Sequence, residues 1–143
     1  MSIEEENKAI FRRVIDEVFN NKDMSVLPEL VSPNYVYHGA FGDAKGSEGL
    51  SEIISAYHNA FPDIHATIDE MVAEGNTVAC RISIQGTFKG EMMGMAPTGR
   101  QLNQVEGVFI HFENGKEVEV FPFSDGITFF SAIGYPLSRA VNQ

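Results

Sequence analysis

Between Ile64 and Asp125 the chain is written in the period of β-strands, and the punctuation between its extended runs leaves room only for hairpins. "IHATIDEMVAEGN" meets "TVACRISIQGTFKG" through "EGN", and "QLNQVEGVFIHF" meets "EVEVFPFSD" through "ENGK". Such short Gly-containing turns make the joined strands antiparallel neighbours, since a parallel return needs a crossover of about a dozen residues or more. Only "EMMGMAPTGR", with Pro97 and Gly99 as turn residues, interrupts this meander as a longer loop.

The first sixty residues follow a different period. Ser2 with Glu5 three residues on is a capping box, and Ile3, Ile10, Phe11, Val14, Val18 and Phe19 then recur at helical spacing. Asp23 caps a short second helix through "MSVLPELV", which Pro33 stops, and "NYVYHGAF" is a short aromatic-rich strand before a "GDAKG" loop. Leu50, Ile53, Ile54, Tyr57 and Phe61 restore the helical pattern up to Pro62, and "FFSAIG" predicts a last short helix. Helices first and a meander afterwards define an α+β fold: a curved antiparallel sheet over residues 64–125, forming a cone with helices packed on its concave face. With no linker or repeat, residues 1–143 read as one domain. A cone of this kind encloses a cavity suited to a small, mostly apolar molecule held by a few polar groups.

Charge narrows the partners. A net charge of -10 opposes binding to nucleic acid or anionic membrane, and no apolar run approaches the roughly 20 residues that span a bilayer. The acidic N-terminus and the single cysteine, Cys80, predict a cytoplasmic protein. His38, His58, His65 and His111 are scattered without ligand spacing, so no metal site is predicted, and neither a phosphate-binding glycine loop nor a nucleophile elbow is present. No cofactor is expected.

"AFPDIHATIDEMVAEGNTVACR", "GTFKGEMMGMAPTGR" and "FENGKEVE", in that order and spacing, resemble the SnoaL-like polyketide cyclases, within the broader superfamily of nuclear transport factor two and ketosteroid isomerase. The resemblance runs from "ENKAIFRRVIDEVFNNKD" to "DGITFFSAIG". It implies a cone-shaped fold, homodimers paired through the outer face of the sheet, and, in some members, ring closure by intramolecular aldol condensation. The family's last-strand motif, similar to E-x-W-D-x-x-D, falls on Glu119, Phe121, Pro122 and Asp125. Its first Asp, the general acid/base of characterised members, is therefore Pro122 here. The polar partner expected on the neighbouring strand, counted back across "ENGK", is Val108.

The chemistry must then come from other side chains. If Val108 faces the cavity, alternation puts Gln104 and Glu106 on the same face, and a carboxylate in an apolar cone is pushed toward neutral pH. A bulge at Gly107 would instead leave Glu106 in solvent. Asp125 either caps the helix that follows or acts in catalysis, and His38 either serves as a base or fills a core position. Arg81 either pairs with Glu106 or Asp69 or lays its stem along the sheet. Tyr57, Phe61, Met92 and Pro122 are expected to line the pocket with Gln104, Val108 and Arg81, and the Met92–Met95 loop to form a lid or a packing surface. Two functions follow: a cofactor-independent enzyme acting on a small apolar carbonyl compound (cyclase, isomerase, or ester or epoxide hydrolase), or a non-catalytic ligand-binding or association module.

Overall fold

The computed structural model describes residues 1–40 and 42–140, the last two through their backbone alone; Phe41, read above as part of an extended run, lies outside them. Helix α1 (Ile3–Arg13) starts as its capping box dictates, with Ser2 Oγ accepting the Glu5 N–H at 3.1 Å. It passes without a break into a π-helical stretch, Val14–Asn20. A 3-10 turn (Met24–Val26) and α2 (Leu27–Leu30) follow, then strands β1 (Val31–Gly39) and β2 (Gly42–Lys45), and helix α3 (Gly46–Ala60). The meander comprises β3 (His65–Glu74), β4 (Thr77–Thr87), β5 (Gln101–Glu113) and β6 (Lys116–Phe123), and α4 (Ile127–Ile133) and α5 (Leu137–Ala140) close the chain.

All six strands form one sheet in the order β2-β1-β6-β5-β4-β3. The expected α+β cone is present, with two differences. The sheet extends beyond 64–125 to include residues 31–45, and β1 pairs with β6 in parallel, making the sheet mixed. That parallel pair joins segments some eighty residues apart, with helix α3 and the whole meander serving as the crossover. Pro33 sits inside β1 and not before it. The register to β6 jumps there, from Val31↔Glu117 to Val36↔Glu119, and an irregular stretch tolerates a residue with no N–H.

The two hairpins form where the turn residues place them. Asn114 and Gly115 carry φ of 53° and 76°, the double positive φ of a type I′ turn, which matches strand twist. Gly90 is required for a different reason. A Cβ there would stand 1.9 Å from the Asn59 carbonyl oxygen, where the loop after β4 crosses the end of α3. The π-helical stretch is held at its C-terminal end by two neighbours. Asn20 pairs with Ala66 of β3 through both amide atoms (2.8 and 2.9 Å), and the Phe19 carbonyl accepts from His58 Nε2 on α3. Val14, Ile15, Val18, Leu50 and Ile54 from these helices meet Val78, Ile82, Ile84, Val108, Ile110 and Val120 from the sheet in the core.

Candidate active site

Two connected compartments open between sheet and helices. The inner chamber, about 90 Å³, is walled by Phe11, Val14, Ile15 and Phe19 from the first helical segment, Ile54 and Tyr57 from α3, and Ile82, Ile84, Val108 and Val120 from the sheet. An outer vestibule of about 260 Å³ is framed by Gly39, Gln104, Phe123, Ser124, Phe129 and Phe130. Tyr37, Tyr57, Glu106 and Pro122 belong to both walls, so they form the neck between them.

Glu106 is the acid at that neck. Alternation along β5 is unbroken from Leu102 to Ile110, so Gly107 bears no bulge and Glu106 shares the inward face with Gln104 and Val108. Among the described residues no cation or hydrogen-bond donor contacts its carboxylate, and burial in apolar surroundings raises its pKa to about 7. Around it the phenols are held protonated. Burial, reinforced by the Glu106 charge, lifts Tyr57 to about 12 and Tyr37 further still.

Val108 and Pro122 face each other across the β5–β6 ladder, in the register obtained by counting back from the hairpin. Both line the chamber. Pro122 also lies beyond the last β1–β6 pair, Tyr37↔Val120, where β6 has lost one neighbour and a missing N–H costs least. Pro122 thus ends a ladder beside the vestibule. Replacing it should install a buried carboxylate: Asp in Pro122→Asp is expected to titrate above the roughly 3.9 of a free side chain in an NMR titration. A value at or below that would mean that the position is solvated.

The other acid in the chamber escapes the sequence pattern. Glu117 of β6 is 1% exposed, lines the inner chamber, and leaves Oε2 without a hydrogen-bond partner; burial pushes its pKa up to about 8. Strict alternation with inward Val120 would turn residue 117 outward beside Glu119. The register instead jumps between His111↔Glu119 and Phe112↔Glu117, and that bulge at Val118 returns Glu117 to the inside. Tyr35, fully buried on β1, lines the same chamber and is held protonated by burial and by the Glu117 charge. Cys80 on β4, paired with Val108, feels both carboxylates, and burial with their charge takes its thiol to about 12.

Several expected site residues lie elsewhere. His38 contributes to the vestibule rim, but its ring is engaged by Asp43 and Glu119, each at 2.9 Å, and stacks on Phe121, residues that alternate away from the chamber. Those two carboxylates raise its pKa and occupy both of its ring nitrogens. Asp125 is a cap: it accepts from the Thr128 N–H (2.8 Å) and hydroxyl (2.9 Å) in the first turn of α4, which keeps its carboxyl below the usual range. Arg81 is half exposed and pairs with Asp69 (3.1 Å) and Glu70 (3.6 Å), leaving Glu106 without a counter-ion. Phe61 is sealed in an aromatic cluster with Phe88 and Phe129. Met92, bridged to Met95, packs on the core and lines neither compartment. Among the described residues no three His, Cys, Asp or Glu converge as metal ligands, and no helix is long and apolar enough to cross a membrane.

A curved mixed sheet closed by helices over an apolar, acid-lined cavity defines an α+β cone fold, and comparison with known proteins places the chain in a family of that fold. Residues 9–133 match the SnoaL-like polyketide cyclases, and the chain belongs to that family. It is 29% identical over 115 residues to aklanonic acid methyl ester cyclase AcmA of Streptomyces galilaeus, covering 78% of either protein. Crystal structures of IdmH from Streptomyces antibioticus, a candidate polyketide cyclase (31% identity, TM-score 0.77, 90% of this chain and 98% of that one), and of AclR from Streptomyces galilaeus, a candidate hydroxylase (26%, 0.79, 92% and 98%), share its fold.

Proposed function

We propose that this protein is a cofactor-independent acid/base catalyst acting on a small apolar carbonyl compound, a polyketide-type cyclase or isomerase in which Glu106 does the work of the acid that Pro122 replaces. The observation that carries this reading is the Glu106 carboxylate itself: at the neck of an apolar cavity, without a counter-ion, and tuned to about 7. A base of that strength is half deprotonated at neutral pH, and its conjugate acid is equally available. The similarity to a methyl ester cyclase supports the reaction class.

The steps balance on this one group. The Glu106 carboxylate takes a proton from the carbon beside a carbonyl, and the C–H electron pair becomes the enolate. Tyr37 and Tyr57, neutral phenols in the same wall as Glu106, donate to the enolate oxygen in this scheme. The enolate carbon attacks a second carbonyl of the same molecule, whose π electrons move to oxygen. The Glu106 acid then returns its proton to that alkoxide. If the second carbonyl is missing, the proton goes back to carbon and the net reaction is isomerisation or exchange.

Incubation with ethyl 2-methylacetoacetate in D2O tests this directly. The protein should speed deuterium uptake at the α-carbon, with a rate that rises through about pH 7 and levels off as Glu106 ionises. Exchange no faster than in buffer, or a rate flat across that range, would overturn the proposal.

We propose further that the protein is a homodimer paired through the outer face of the sheet. Val105 and Phe109 of β5 stand about half exposed there, on the face opposite Glu106 and Val108, and Phe123 meets Phe109 edge-on. Light scattering at micromolar concentration should give about twice 15.8 kDa, and Phe109→Glu should return it to the single-chain mass. A single-chain mass for the unaltered protein would refute the pairing.

A further inference from the structure

The proposed chemistry uses Glu106 and leaves Glu117 without a task. Yet Glu117 is the more deeply buried acid, and its Oε2 has no partner. A buried polar atom without a hydrogen bond is costly, so such atoms are normally satisfied by something. The chamber wall it belongs to is otherwise apolar except for Tyr35, Tyr37, Tyr57 and Glu106, and among the described residues none hydrogen-bonds Oε2. What it faces is the chamber.

Position sets what could satisfy it. Glu117 pairs with Phe112, six residues along β5 from Glu106, so the two acids lie at opposite ends of about 20 Å of strand, less where the sheet bends. The chamber's 90 Å³ falls well below the roughly 300 Å³ of a pocket that holds a whole drug-sized ligand, so it admits one end of a longer molecule. The remainder must lie across the neck and in the vestibule.

We propose that Glu117 is a specificity-determining residue at the blind end of the chamber, where its protonated carboxyl donates a hydrogen bond to a carbonyl oxygen on the leading end of an otherwise apolar ligand. This rests on the proposed function only for the identity of the cavity as the substrate site. The substrate class becomes narrower: an elongated compound with two oxygenated positions, one near Glu106 and one at its deep tip. An apolar tip would strand the Glu117 carboxyl, and that mismatch is a strong form of rejection.

Acetophenone and α-methylstyrene, which differ in C=O against C=CH2 at nearly constant shape, are suitable probes. Their affinities at pH 6 can be measured by NMR titration of the protein. The unaltered protein should prefer the ketone by about tenfold, one good hydrogen bond. Glu117→Leu should abolish that preference, Glu117→Gln should retain it because its amide still donates, and Glu106→Leu should leave it in place. In the unaltered protein the infrared carbonyl stretch of bound acetophenone should shift to lower frequency, a reading that needs no variant. A preference that survives Glu117→Leu, one that disappears with Glu106→Leu, or no binding of either probe at millimolar concentration would each overturn the proposal. Because these are binding measurements, they stand apart from the exchange assay: loss of turnover with an intact Glu117-dependent preference would sink the catalytic reading and leave this one standing.

Discussion

Glu106→Gln should lower the rate of α-proton exchange by about 10²- to 10⁴-fold, the usual worth of a positioned general base. The amide keeps the shape of the side chain, so ligand affinity should barely change and the loss should appear in kcat. Stability should hold or rise slightly, since an amide is cheaper to bury than a carboxylate with no partner. Arg81 sharpens the test. Had it paired with Glu106, breaking a buried ion pair would cost about 3–5 kcal/mol. It pairs with Asp69 and Glu70 at the surface instead, so no such loss is expected on chemical denaturation. Full exchange activity in the Gln variant would remove Glu106 from the chemistry.

The second large effect is on stability against pH. Free glutamates titrate near 4.5, whereas the folded protein holds Glu106 protonated to about 7 and Glu117 to about 8. Between those limits the folded state binds more protons than the unfolded one. Stability from these groups is therefore complete below about pH 4.5 and is lost as pH climbs through 7 and 8. At 1.36 kcal/mol per pKa unit, Glu117 alone accounts for about 5 kcal/mol and Glu106 for about 3. His38, with its pKa also raised, acts in the same direction but is well solvated and adds little. Denaturant unfolding should show stability falling steeply from about pH 5 to pH 8 and levelling off by pH 9. Glu117→Leu should flatten most of that decline, gaining stability at pH 9 and changing little at pH 5. An unchanged slope in this variant would show that Glu117 is ionised in the folded protein.

How much of this was legible in the sequence depended on how local the signal was. The Asn114–Gly115 turn fixes its hairpin within four residues, so counting from it paired Val108 with Pro122 correctly. Glu106 was found by alternation because β5 is regular from Leu102 to Ile110. Glu117 escapes the pattern because alternation fails at Val118, where nothing in "EVEV" distinguishes a bulged strand from a regular one. The parallel β1–β6 pair left no trace either, since its partners meet only through tertiary packing. The π-helical stretch is indistinguishable from plain helix in the sequence, because its apolar spacing satisfies both forms. His38, Asp125 and Arg81 were ambiguous for a common reason: each has a nearby acid, turn or strand neighbour that absorbs it, and sequence does not rank such partners.

The burial of Cys80 turns the chain's one thiol into a clock. Thiolate is the reactive form, and a buried group held to about 12 by burial and two nearby acids offers almost none at neutral pH. Labelling must then wait for the sheet to part from its helices. Its rate reads the frequency of that opening in the native ensemble, without denaturant and without an added probe.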